Sequence, residues 1–468
     1  MILTSFILFM IVFLLIGVTS VYWSKNTVDD YLIAGKSVPP SLVGLSAIAT
    51  NNSGFMFVGM IGFTYLWGLS SIWMMVGWIL GDMTASLLTV RRIKQVSKAE
   101  NIHSFGGLLS HWHGTDYKTL RVVTGVLTVL FLTVYAAAQL KAGSKATASL
   151  LGWEMSTGVF LSAGIVLIYS MAGGIRASIW TDVAQSIVMI IGMSVLVVMG
   201  LRAAGGMEMA LMQLATVSPD YMNWSPAKDT GLQVALFIAG WFFGGVPIGQ
   251  PHIVIRFMSL NDEKNINRMR VYYYGWYILF YGATIIVGLL SRFVLSGAGN
   301  SFDAELALPN MASELLPPAF VGLILAAMFA ATMSTADSLI LACSASVTRD
   351  IHQNERHSLW VTKLATLSIL VVAVLIALSG NRTVFSLVMD AWGMLSSAFA
   401  PLVVLYSLGR RISEPLALMM IFVGLATFAV WNLAGMSSVI YSAAPGIVSG
   451  FIVYLVAWGI NRLRQPVG

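Results

Sequence analysis

The chain has 468 residues, of which 57% are hydrophobic and only 10% charged, where a soluble domain carries roughly 25% charged residues. This composition excludes a water-soluble fold, and the formal charge of +6 does not mark a nucleic-acid binder, because the basic residues sit in short connections rather than on one amphipathic surface. Cys343 is the only cysteine, so no intrachain disulfide, thiol pair or cysteine metal cluster is possible.

The apolar residues fall into long blocks, and about 20 such residues make a helix that crosses a bilayer core of about 30 Å. The first block, 2–22, lacks the charged start and small-residue cleavage site of a signal peptide, so a retained first span is expected. Further blocks lie at 40–63, 69–90, 122–148, 155–171, 183–204, 231–248, 272–298, 318–347, 359–379, 384–408, 415–436 and 445–461, which predicts about thirteen spans. If these alternate, Arg91, Arg92, Lys94, Lys98, Lys118, Arg121, Arg256, Lys264, Arg268, Arg270, Arg349, Arg356, Arg410, Arg411, Arg462 and Arg464 fall on one side, with Lys228 and Arg382 nearly alone on the other. The excess of Lys and Arg marks the cytoplasmic side, which predicts an integral plasma (bacterial inner) membrane protein with its N-terminus outside and its C-terminus inside.

The loops are short and no soluble domain is appended, so any chemistry belongs within the helices. No nucleophile with a base or metal-ligand pair appears, which argues against an enzyme; His103, His111 and His113 lie in a charged loop and are expected to be solvated. A channel would need a continuous polar stripe, and a sensor a signalling domain, whereas here the polar residues collect at two breaks and one ladder.

A helix in lipid satisfies its backbone internally, so helix breakers at mid-membrane depth belong where they face protein or a water-filled cavity. The second span contains Ala49, Thr50, Asn51, Asn52, Ser53 and Gly54; the seventh contains Gly244, Gly245, Val246, Pro247, Ile248 and Gly249, then Gln250 and Pro251. Paired interrupted helices at corresponding positions of two halves point to the binding site of a transporter built from inverted repeats. The other reading is that Gly and Pro merely kink two packed helices, although polar residues at 50–53 would then serve no purpose.

In the ninth span, offsets of three and four put Ala331, Ser334, Thr335 and Ser338 on one stripe, with Asp337 at its edge. Hydroxyl and carbonyl oxygens without His or Cys suit sodium (Na+) rather than a transition metal. The plain alternative is that these hydroxyls join helices, at about 0.6 kcal/mol each. Asp337 argues for function, because an acid deep in a span costs about 2.5 to 3.5 kcal/mol.

Several motifs together make the chain similar to the sodium/solute symporter family, and most like its sodium/proline branch. They are Asp30-Tyr31 with Gly35-Lys36-Ser37, Trp180-Thr181-Asp182, Gly249-Gln250-Pro251-His252 with Arg256-Phe257, and Met333-Ser334-Thr335, within a resemblance that runs from about 28 to about 410. It implies an all-α polytopic membrane protein with a LeuT-type core of two inverted five-helix repeats. The implied division is a first helix and cytoplasmic loop at 1–39, repeats at 40–204 and 205–408, and two further helices at 409–468. By position, the resemblance implies a sodium site made by backbone oxygens of Ala49, Asn52 and Ala331 with the hydroxyls of Ser334 and Thr335. It implies a second sodium site, used by some members, at Asp182, Ser334, Asp337 and Ser338; Asp182 also reads as a helix N-cap.

The solute is expected between the broken helices, near Asn51, Ser53, Gly54, Tyr135, Gln139, Phe243 and Pro247. The chain departs here from the proline branch, which has Asp at the position of Asn51, Trp at Phe243 and Tyr at Pro247. Asp82, Lys141 and Asp390 are further charges within spans, each costly unless paired or facing water. Lys141 is a candidate to neutralise Asp82 or Asp390; alternatively Asp390 or Lys141 reads a charged end of the solute, or Asp82 replaces the carboxylate missing at Asn51. The expected partners are sodium, a small solute and the lipid bilayer, with no nucleic acid and no obligate protein partner. Proline or another small amino acid is the first expectation for the solute, and a sugar acid, pantothenate or a monocarboxylate the second.

Overall fold

A computed structural model describes the chain except for residues 24, 26, 226–230, 296, 298–301, 353–357, 380–382 and 465–468, so Lys228, Arg356 and Arg382 of the charge argument lie outside the described residues. Apart from one isolated parallel bridge, the regular structure among the described residues is helical.

Helix α1 (Ile2–Thr19) precedes the first broken helix. Its inner half, α2 (Pro40–Asn51), starts with proline at the first turn, where no N–H partner is needed. It stops at Asn52 (φ −86°, ψ 20°), and a short turn Ser53–Phe55 and a π-helical turn Met56–Met60 lead into α3 (Ile61–Trp67). Then come α4 (Ile72–Ala99), α5 (Lys118–Leu151) and α6 (Met155–Ala203). The expected spans 155–171 and 183–204 are the two arms of α6, which bends at Gly174 (φ 57°). A Cβ there would stand 2.4 Å from the Tyr31 carbonyl oxygen, so both the positive φ and the close approach require glycine.

The second broken helix is wider open. After α7 (Gly231–Gly244) the backbone runs extended through Val246, makes the turn Pro247–Gly249 and restarts as α8 (Pro251–Ser259). Helices α9 (Ile266–Val294), α10 (Pro318–Ala345), α11 (Leu359–Leu378), α12 (Val384–Ser407), α13 (Glu414–Leu433) and α14 (Ala443–Arg464) complete the fold. Among the described residues, ten helical stretches are long and apolar enough to cross a membrane, fewer than the thirteen expected. By that measure the arms of α6 count once, Ser53–Ala99 runs together, and the α7 arm Gly231–Gly244 is too short.

The centre of the molecule is α10, buried at every residue from Val321 to Ala345 and packed against α1, α5, α6 and α2. Around it, α1, α11, α13 and α14 present bare apolar side chains such as Leu8, Leu375, Leu433 and Leu455, as a lipid-facing surface requires. Helix α4 lies unusually close to the second break. A Cβ on Gly81 would sit 1.9 Å from the Phe242 carbonyl oxygen, and one on Gly245 2.2 Å from that of Trp78. Small residues let backbones approach in this way where no hydrophobic force drives helices together.

The bridge joins the segment that leads into α2 to the segment that leaves α8. Val38 N–H donates to the Ser259 carbonyl at 3.1 Å and Asn261 N–H to the Val38 carbonyl at 2.9 Å. Beside it, Lys94 Nζ donates to the Met258 carbonyl at 2.9 Å and Lys36 Nζ to the Ser97 carbonyl at 2.5 Å, with burial pulling the Lys36 amine down to about 8.

Candidate functional site

The first break lies against α10, and hydroxyls stitch the two together. Thr335 Oγ1 donates to the Thr50 carbonyl at 2.9 Å, while Ser334 Oγ lies 3.1 Å from the Ala331 carbonyl and 3.3 Å from that of Ala49. From the other side, Thr50 Oγ1 donates to the Ser334 carbonyl at 3.3 Å and shares a proton with Ser338 Oγ at 3.1 Å. Three of the five expected sodium oxygens, on Ala49, Ala331 and Ser334, therefore converge, with Thr335 beside them. Asn52 is 2% exposed and its Nδ2 has no partner, so that residue is held at the break without being spent there.

The second expected ion set also comes together, but around Arg256, which the sequence placed among the basic residues of the connections and which is instead buried. Arg256, 1% exposed, reaches from α8 into the group. Its Nη2 donates to Asp182 Oδ2 at 2.9 Å, to Ser178 Oγ at 2.7 Å and to Ser338 Oγ; its Nε donates to Ser46 Oγ at 2.9 Å. Asp337 Oδ1 accepts from Ser338 Oγ at 3.0 Å, while Asp337 Oδ2 and Asp182 Oδ1 are buried without partners. The N-cap reading of Asp182 is wrong: the residue lies inside the second arm of α6, and its carboxylate accepts from Ser46 Oγ at 2.6 Å. The signal available was Arg256 itself, a fixed cation between apolar runs, which must find an acid when buried.

Above the first break lies a small central cavity of about 10 Å³, lined by Asn51, Asn52 and Tyr135 together with Phe55, Met56, Trp78, Tyr277, Tyr281, Val388 and Trp392. That volume holds about one water, so this is a closed form whose walls must part to admit a solute. Ser53, Gly54 and Gln139 do not line it but lie behind the first break, where Tyr135 OH donates to Ser53 Oγ at 3.2 Å and Gly54 N–H donates to Gln139 Oε1 at 2.8 Å. Gln139 Nε2 is left without a partner. Phe243 and Pro247 do not line this cavity. The second break is instead tied to α12, where Trp392 Nε1 donates to the Gly244 carbonyl at 2.7 Å and Gln250 Nε2 to Ser396 Oγ at 3.0 Å.

Asp82 is fully buried next to Asn51, and its expected ion pair with Lys141 is absent. Its carboxylate accepts from Asn51 Nδ2 at 3.1 Å, Tyr273 OH at 2.6 Å and Tyr274 OH at 2.8 Å. Three neutral donors satisfy its oxygens. Lys141 feels the charges of Lys145 and Glu305, and Asp390 accepts from Asn432 Nδ2 at 3.0 Å. The histidines are not simply solvated either: His103 Nε2 lies 3.3 Å from Asp29, His111 Nε2 3.5 Å from Asp116, and His113 Nε2 3.0 Å from the Arg410 carbonyl.

Comparison with known proteins agrees with this geometry. The model of the sodium:solute symporter family matches residues 31–424. The high-affinity proline transporter PutP of Bacillus subtilis is 30% identical over 94% of each chain. The sodium/proline symporter of Escherichia coli is 28% identical, covering 97% of this chain and 92% of its own. Among solved structures, a sodium-coupled sialic acid symporter in a substrate-bound outward-open state superimposes with a TM-score of 0.81 at 19% identity, over 98% of both chains. The transporter Mhp1 of the nucleobase-cation-symport-1 family, closed on a bound hydantoin, gives 0.61 at 17% identity over 94% of this chain and 96% of its own. An all-helical LeuT-type membrane fold, paired helix breaks and a family match across most of the length lead to one assignment: the chain belongs to the sodium:solute symporter family.

Proposed function

We propose that this protein is a sodium-coupled symporter that imports proline or another small amino acid by alternating access. The observation that carries the reading is the seam between the first break and α10, where the oxygens of Ala49, Ala331 and Ser334 converge beside Thr335. Sodium bound in that seam, with Asn52 supplying a further carbonyl, holds the broken helix against α10 in the shape that accepts solute. The relatives named as proline transporters supply the solute class.

In the central cavity, the unpartnered donor Asn52 Nδ2, with the Tyr135 hydroxyl nearby, suits a carboxylate. The rings of Phe55, Trp78, Tyr277, Tyr281 and Trp392 suit an apolar ring and its ammonium. Asp82, touching Asn51, supplies from α4 the negative charge that position 51 lacks.

Arg256 occupies the second ion group as a tethered cation, so we read the cycle as using one sodium. A single sodium falling through about 100 mV releases roughly 2.3 kcal/mol, and a tenfold gradient adds about 1.4 kcal/mol. Together they sustain roughly 500-fold accumulation, which a second ion would square. We further read thirteen crossings, counting each broken helix once and α6 twice, with repeats at 40–204 and 205–408. The Lys- and Arg-rich ends then face the cytoplasm of a bacterial inner membrane, with the N-terminus outside.

The test is uptake of labelled proline and a panel of amino acids into proteoliposomes under an imposed sodium gradient. Accumulation above the outside concentration that requires sodium supports the reading. Simple equilibration, or uptake driven by protons and indifferent to sodium, overturns it.

A further inference from the structure

Among the described residues three glutamines are fully buried, and two of them use their amides. Gln139 Oε1 accepts from Gly54 N–H at 2.8 Å, and Gln250 Nε2 donates to Ser396 Oγ at 3.0 Å. Gln185, in the second arm of α6, uses neither end: its Oε1 and Nε2 are both buried without a partner. Buried polar atoms are paired as a rule, and a carboxamide with both ends unmade is a cost that calls for a ligand.

The register of α6 on α10 places this side chain. Offsets of four, three and seven put Ser178, Asp182, Gln185 and Gly192 on one stripe of α6, and offsets of four, three and four put Ala327, Ala331, Ser334 and Ser338 on one stripe of α10. The stripes meet at both ends. At one, a Cβ on Gly192 would stand 3.1 Å from that of Ala327. At the other, Arg256 Nη2 donates to Ser178 Oγ at 2.7 Å, to Asp182 Oδ2 at 2.9 Å and to Ser338 Oγ. The two helices therefore run antiparallel, and seven residues along each from the Gly192–Ala327 contact, Gln185 comes level with Ser334. Thr50 joins the two stripes from α2, since its Oγ1 lies 3.3 Å from the Ser334 carbonyl and 3.5 Å from Asp182 Oδ2.

The expected sodium oxygens come from the first break and α10 alone, and α6 packs against both α2 and α10. We propose, on the sodium-coupled reading, that Gln185 is a further sodium ligand whose Oε1 closes the α6 side of the seam when the ion is bound. An uncharged amide oxygen suits a hard cation and adds no acid to the site. Turning Oε1 to the ion leaves Nε2 to donate to Asp182 Oδ1, the unpartnered oxygen one turn away on the same stripe. Ion binding thereby satisfies atoms that the closed form leaves unmade, and it draws α6 as well as α2 onto α10.

Thermal unfolding of the purified full-length protein over a sodium titration tests this, with potassium chloride keeping the ionic strength constant. An ion that binds only the folded state raises the unfolding temperature, so the titration gives the half-saturating sodium concentration without transport. Gln185→Leu and Gln185→Met keep the bulk and lose the amide, and each is expected to raise that concentration at least about tenfold. Without sodium they unfold no lower than the parent, because the amide they remove is unpaired there. Gln185→Glu, which retains an oxygen, binds sodium more tightly than either apolar variant. An unchanged half-saturating concentration in an apolar variant that folds overturns the proposal, as does a Gln185→Glu protein that binds sodium no better than Gln185→Leu. So does a lower unfolding temperature without sodium beside an intact sodium response, which would make Gln185 a structural residue satisfied by water. A parent protein whose unfolding temperature ignores sodium refutes the sodium-coupled reading itself; a sodium response that parent and Gln185 variants share refutes only the role of Gln185.

Discussion

The two helix breaks are built differently. The first, Ala49–Gly54, keeps nearly helical backbone and is closed by hydroxyls that α10 lends it. The second, Gly244–Pro251, departs fully from the helix and is held by an indole, an amide and close glycine contacts to α12 and α4. Hydroxyl-to-carbonyl contacts at 2.9 to 3.3 Å close the first break, whereas backbone packed on backbone holds the second. We propose that the first break switches and the second anchors.

The most damaging change should be Ser334→Ala with Thr335→Ala, which strips the first break of its stitches. Sodium-driven accumulation in proteoliposomes should vanish, and each single change should raise the half-saturating sodium concentration by about tenfold, equivalent to about 1.4 kcal/mol. Unaltered sodium dependence in the double variant would remove the distinction between the breaks.

Next comes Asp82→Asn. It keeps the shape but loses the charge behind Asn51, so uptake should fall at least about tenfold while the protein stays folded, since truncating one member of a buried charged network is costly. Tyr274→Phe, which takes away one of three donors, should cost only a few-fold, about 1 kcal/mol. Equal losses in both variants would mean that the network matters as packing rather than as charge.

On the anchoring side, Gly81→Ala should push α4 off the second break. Overpacking of this kind costs about 1 to 3 kcal/mol, read as a lower unfolding temperature in detergent. Mildest of all, Trp392→Phe leaves the Gly244 carbonyl without its donor and should cost about 1 kcal/mol of stability with the half-saturating sodium concentration unchanged. A sodium shift in Trp392→Phe would show that the second break switches too.

The spans, both breaks and the Ser334–Thr335 stripe were legible in the sequence, because each is local: apolar length, helix-breaking residues and three-four spacing. What escaped depends on which distant residues meet. Arg256 sits 74 positions from Asp182, and nothing in either neighbourhood announces that one neutralises the other. The central cavity draws on five helices, and most of its aromatic lining reads in sequence as ordinary lipid-facing or core residues. Asp82 was recognised as costly, yet its partners proved to be phenols 191 and 192 positions away rather than Lys141. Phe243 and Pro247 were placed by position alone, and position does not reveal that α12 pulls the second break aside.

The bridge between Val38 and Leu260 adds a mechanical corollary. It joins the start of α2 to the end of α8 through peptide groups, so on the proposed alternating-access reading a movement of one is passed directly to the other. Because main chain rather than side chains makes the fastening, most substitutions along it leave it in place, whereas Val38→Pro removes the Val38 N–H and with it one of the two bonds.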